Sequence, residues 1–173
     1  MKELFGQPEY LHVLANPILT HALPLAALGL LISLLARSRS AIRASLVLTV
    51  LAAGAVWPVV HYGRLGFDRI QSAADATGGD WLKVHRYRAE NNAWVFYVAA
   101  AAAAVALITP TRWSKITALA NWLTLIVAVA ACAVAAYVAY PAGRVRHREF
   151  RHEPPPAAEL QAAHQEEAAE SQH

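Results

Sequence analysis

The stretch Pro17-Ile-Leu-Thr-His21-Ala-Leu-Pro24-Leu25-Ala-Ala-Leu-Gly29-Leu-Leu-Ile-Ser33-Leu-Leu-Ala36 holds twenty residues and no Asp, Glu, Lys or Arg. As a helix it rises about 30 Å, the thickness of a bilayer's hydrocarbon core. Its apolar length exceeds that of a cleaved signal peptide, so it is read as a membrane span. Working outward, three more runs match it, at 41–60, 93–109 and 117–140. None contains Asp, Glu or Lys, and Arg43 is the single arginine, at the lip of the second. The whole chain of 173 residues is 57% hydrophobic and 16% charged, with a mean hydropathy of +0.31. Soluble domains carry about 25% charged residues, which argues against a cytosolic enzyme. One cysteine, Cys132, excludes a disulfide framework and a Cys-rich zinc or iron–sulfur site. The pI of about 9.2 follows from basic residues set between apolar runs, a pattern of membrane topology rather than nucleic-acid binding.

Short links, Arg37-Ser-Arg39-Ser and Pro110-Thr-Arg112-Trp-Ser-Lys115, join spans one to two and three to four. Short links force antiparallel neighbours, so the expected fold is all-α: an integral membrane four-helix bundle of two antiparallel hairpins. The long connection, residues 61–92, predicts an interfacial helical segment between spans two and three, with Phe67, Ile70 and Ala74 at helical spacing. Within it Gly78-Gly79 reads as a break, and Asp80 as the N-cap of a helix that starts at Trp81. With no Pro or Gly before Pro110, that helix runs on into span three. Residues 1–16 read as an N-terminal interfacial segment and 17–140 as the membrane domain. Residues 141–173 form a basic collar of Arg144, Arg146, Arg148 and Arg151, then Pro154-Pro155-Pro156 and a solvated Ala/Glu/Gln tail of high helix propensity over 157–169.

Helix alternation places the short links on one membrane face and both termini with the long connection on the other. Five of the fifteen Lys/Arg lie on the short-link face, and all twelve Asp/Glu on the opposite one. Raw counts favour a cytoplasmic long-connection face, whereas density near span ends favours the reverse. We read the short links as inside and both termini as periplasmic, in a bacterial inner membrane.

The histidines cluster toward the long-connection face. His21, bracketed by Pro17 and Pro24, is the deepest ionisable side chain, and Pro24 withholds the amide that Thr20's carbonyl would take, so a local irregularity is expected there. His61 follows Trp57 by four residues, and His85 shares a helix face with Trp81 and Arg88. Three imidazoles at one boundary suit b-type haem, with zinc or copper as the second option. The expected axial pair is His21 and His85, with His61 as substitute; small residues Gly29, Gly54 and Ala99–Ala104 supply either a slot or close helix packing. His12, His147 and His152 read as interfacial hydrogen-bonded side chains, and His164 and His173 as solvated. Trp57, Trp94, Trp113, Trp122, Tyr137 and Tyr140 read as an aromatic belt.

Tyr10-Leu11-His12 followed by Pro17-Ile-Leu-Thr-His21-Ala-Leu-Pro24-Leu25 resembles the start of a bacterial four-helix transmembrane family of unknown function, over residues 10–145. The family's Gly-x-x-Asp-like end of span two would fall at Gly63–Asp68, and its His before span three at His85. Asn16 stands where that family commonly has His, and its Gly-Gly-like C-terminal motif is reduced to Pro141-Ala-Gly143. The resemblance implies a membrane cytochrome context by analogy.

No Gly-x-Ser-x-Gly, His-Glu-x-x-His or glycine-rich phosphate loop is present, and the inner half of every span lacks the ionisable residues of a transport pathway. The expected function is therefore a small subunit of a respiratory or photosynthetic electron-transfer complex. Its expected partners are other membrane subunits, lipid, and a quinone or soluble carrier, with no nucleic acid. The alternative is a cofactor-free accessory subunit of a larger membrane complex.

Overall fold

A computed structural model describes residues 6–110, 112 and 114–170, so Trp113 and His173 lie outside the described residues. These residues form helices without a strand: α1 (Pro8–Pro17), a π-helical turn (Ile18–Ala22), α2 (Leu23–Leu35), α3 (Arg39–Gly54), α4 (Val56–Ala73), α5 (Ala76–Ile108), α6 (Ser114–Arg146) and α7 (Ala157–Glu170). Four continuous rods, Pro8–Leu35, Arg39–Ala73, Ala76–Ile108 and Ser114–Arg146, are long and apolar enough to cross a membrane. They pack as two antiparallel hairpins: α2 lies on α3, α5 on α6, and the pairs meet through α3–α5 and α2–α6 contacts.

Prolines punctuate the rods. Pro24 supplies no amide to Thr20, and the backbone widens: the Leu23 amide reaches five residues back to the Ile18 carbonyl. Pro58 lies four residues after Gly54, where its ring crowds the carbonyl, and α3 breaks from α4 at Ala55. Pro141, fully buried inside α6, withholds the amide that Tyr137's carbonyl would take.

The core is built of small residues. Ala99, Ala103, Ala128 and Ala131 are fully buried, while Val105, Ile108, Leu119 and Ile126 face outward. Alanine faces let backbones approach closely, and the outward Leu, Ile and Val meet lipid. Within the Ala99–Ala104 run, Ala99 and Ala103 make the close packing, while Ala101 and Ala104 are exposed. Trp57, Trp94, Trp122, Tyr137 and Tyr140 are exposed, toward the ends of the apolar runs 41–60, 93–109 and 117–140, the arrangement of a belt.

Three boundaries differ from the sequence expectation. The segment between spans two and three is helical but continuous with both, as α4 extends span two and α5 precedes span three. The α5 N-cap is Asp75, not Asp80: its Oδ1 accepts from the Gly78 amide at 2.7 Å. Gly78 and Gly79 sit inside the helix because of close approach, since a Cβ on Gly78 would lie 2.9 Å from the Val145 carbonyl and from Arg151 Nη2. Finally, 157–170 is a helix docked on α5 rather than a free tail. Lys83 Nζ meets Glu167 at 2.7 Å, and Arg88 Nε meets Glu159 at 2.7 Å.

Candidate functional site

At the long-connection end, α1 crosses α4 where glycines remove the side-chain barrier. A Cβ on Gly66 would stand 2.9 Å from the Glu9 backbone nitrogen, and one on Gly63 would stand 2.9 Å from His12 Nδ1. Glu9 and Arg69 close the crossing with an ion pair of 2.7 Å. The approach lets His12 Nδ1 reach the Val59 carbonyl at 2.7 Å. Across the bundle, His85 Nδ1 reaches the Val138 carbonyl on α6 at 2.8 Å.

A carbonyl oxygen only accepts, so each Nδ1 carries the proton, and in the neutral ring each Nε2 keeps its lone pair. The two ring centres stand 6.3 Å apart with planes at 78°. Two imidazoles bound to one metal through nitrogens about 2 Å away place their ring centres roughly 6 Å apart. The Nδ1–carbonyl bonds are the outer partners that fix tautomer and ring orientation in a ligating histidine.

Two spaces border the pair. One is an apolar cavity of ≈ 80 Å³ walled by Leu19, Val56, Phe96 and Val138, with Arg64, Arg86 and Glu90 at its edge. Glu90 Oε1 receives Arg64 Nε at 2.8 Å and Arg86 Nε at 3.1 Å, and the Arg86 guanidinium lies over the Phe67 ring at 4.8 Å. The other space is an open groove of ≈ 990 Å³ bordered by Arg69, Arg146, Arg148 and Arg151. Arg148 and Arg151 are taken by Asp75, at 2.8 and 2.7 Å. The Gly78 amide first, then Arg151 and Arg148, hold the Asp75 carboxyl below its ordinary 3.8. Arg146, exposed at the groove, has no ion-pair partner among the described residues.

The structure places His21 and His85 on the same groove, which His61 does not line. His21 is exposed on the π turn at the groove, its Nδ1 2.8 Å from Thr20 Oγ1. His61 is exposed on the outer surface, stacked on Trp57 at 5.1 Å and 5°. His85 instead faces His12, which the sequence reading had placed among the interfacial hydrogen-bonded side chains. The available signal was the stripe His12, Asn16, Leu19, Leu23 on one side of the first rod. Among the described residues no three His, Cys, Asp or Glu converge to hold an ion.

No family model matches the chain, and no curated protein or solved structure matches it.

Proposed function

We propose that this protein is a small multi-pass electron-transfer subunit that holds b-type haem between His12 and His85 at the long-connection end of its bundle. The observation that carries the reading is the facing imidazole pair, with each Nδ1 committed to a backbone carbonyl and each Nε2 left as a donor. The neighbouring walls suit the group: apolar side chains on one flank and, in the groove, the unpaired cation of Arg146 for porphyrin carboxylates. Bound there, haem supplies reversible one-electron chemistry.

The chain's own residues do three things. Val59 and Val138 orient the imidazoles and fix their tautomer. Leu19, Val56 and Phe96 keep the site apolar on its inner side. The position at one end of the rods opens the site to a partner at one membrane face, a quinone or a soluble carrier, within a larger complex of a bacterial inner membrane. The short links face inward and the termini outward in this reading.

The test is a reduced-minus-oxidised spectrum of the purified protein. Wild type shows b-type bands; His12→Ala and His85→Ala each abolish them, while His21→Ala and His61→Ala keep them. Bands that persist in His12→Ala overturn the assignment. Wild-type protein that takes up no haem leaves the cofactor-free accessory subunit.

A further inference from the structure

At the opposite end of the bundle, a cleft of ≈ 550 Å³ opens between the α2–α3 link and the adjoining ends of α5 and α6. Arg37, Arg39 and Arg43 border it, and none has a carboxylate partner among the described residues.

The backbone adds a second sign. Arg37 sits at φ 54°, just past the end of α2, where Ser38 and Arg37 amides return to the Ser33 and Leu34 carbonyls. That left-handed position favours glycine or asparagine, yet it carries a guanidinium at the rim of the cleft.

From these features, and independently of the haem reading at the other end, we infer that this cleft binds an anionic phospholipid of the phosphatidylglycerol class. Three guanidinium groups without carboxylates match a headgroup whose only charge is its phosphodiester, and they repel the cation of a choline headgroup. Leu34, Ile42, Leu46 and Leu107 give the cleft an apolar wall for the upper acyl chains, which a free phosphate would leave unused.

The experiment is native mass spectrometry of the full-length protein in detergent, titrated with phosphatidylglycerol, phosphatidylcholine, glycerol 3-phosphate or ubiquinone. Phosphatidylglycerol is expected to bind about tenfold more tightly than phosphatidylcholine, the worth of one charge-assisted hydrogen bond. The surface pair Arg39→Gln and Arg43→Gln removes most of that preference without touching the packed core. Equal binding of both phospholipids overturns the proposal, as does a preference unchanged in the arginine pair. Saturation by glycerol 3-phosphate at equal concentration assigns a soluble anion instead, and displacement by ubiquinone assigns a quinone; both overturn it.

Discussion

Arg88 holds Tyr137 twice: its Nη1 donates to the Tyr137 backbone carbonyl at 3.0 Å, and its guanidinium lies 3.9 Å from the centre of the Tyr137 ring. The carbonyl is open because Pro141, four residues on, has no amide to give it. The same guanidinium donates Nε to Glu159 at 2.7 Å, and Tyr137 Oη donates to the other Glu159 oxygen at 2.7 Å. One cation thus joins the proline-opened turn of α6 to α5 and α7, one helical turn from His85.

Arg88→Leu should be among the most damaging single changes outside the rods' alanine faces. It leaves the Tyr137 carbonyl without a donor and the Glu159 carboxylate with Tyr137 Oη but no cation, a loss of about 3 kcal/mol. Pro141→Ala restores an amide for Tyr137, so Arg88→Leu costs less in that background. A double-mutant cycle read by thermal denaturation in detergent checks this; additive effects would show that the carbonyl is not the shared partner.

Gly63 is predicted to control His12 while both proposed ligands stay in the sequence. A Cβ there would meet Nδ1 at 2.9 Å, so Gly63→Ala must push the ring off the Val59 carbonyl or part α1 from α4. Expected outcomes are a stability loss of about 1–3 kcal/mol from overpacking and an altered midpoint potential of any haem bound at His12. Gly54→Ala, where a Cβ meets nothing within 4 Å, is the control for alanine on the same rod.

Docking of α7 should depend on pH with a definite sign. Partial burial acts to raise the Glu159 carboxyl, but hydrogen bonds from Arg88 and Tyr137, with the charge of Arg88, outweigh it and hold its pKa below 4.5. A carboxyl depressed by folding stabilises the docked form above its unfolded pKa and loses that contribution as pH falls through the folded one. Asp75, depressed through Gly78 and Arg151, has the same sign. Hydrogen exchange over 157–170 should therefore be slow at neutral pH and accelerate below about pH 4, while exchange in the membrane rods stays unchanged. Equal protection at both pH values would remove the carboxylates from the latch.

The membrane rods were legible because twenty-residue apolar runs have few other uses, and the irregularity before Pro24 followed from one missing amide. Partners distant in sequence were not legible. Asp75 was passed over for Asp80 because Gly78-Gly79 reads as a break, and only Arg151 and Val145, packed against Gly78, explain why glycine belongs inside that helix. The tail's partners lie 71 residues away for Arg88–Glu159 and 84 for Lys83–Glu167. The position of His12 opposite His85 was hidden for a related reason. Its partners are a carbonyl on one helix and an imidazole on another, and a carbonyl leaves no trace in a side-chain pattern.

The alanine faces give a last prediction, on what holds the rods together. Ala103 of α5 is fully buried in one cluster with Ala128 and Leu125 of α6, while Val105, two residues on, is 55% exposed. Lipid tails are as apolar as leucine, so burial in a bilayer gains little from the hydrophobic effect and close backbone contact carries the association. Ala103→Leu should therefore destabilise the bundle by about 1–3 kcal/mol through overpacking. Val105→Leu, facing outward, should stay within about 0.5 kcal/mol of wild type. In a soluble bundle a larger apolar residue at the outer position would instead promote aggregation. Unfolding measured in bicelles for both variants decides it: if Val105→Leu proves the more harmful, the outward face of α5 meets a protein partner and not lipid.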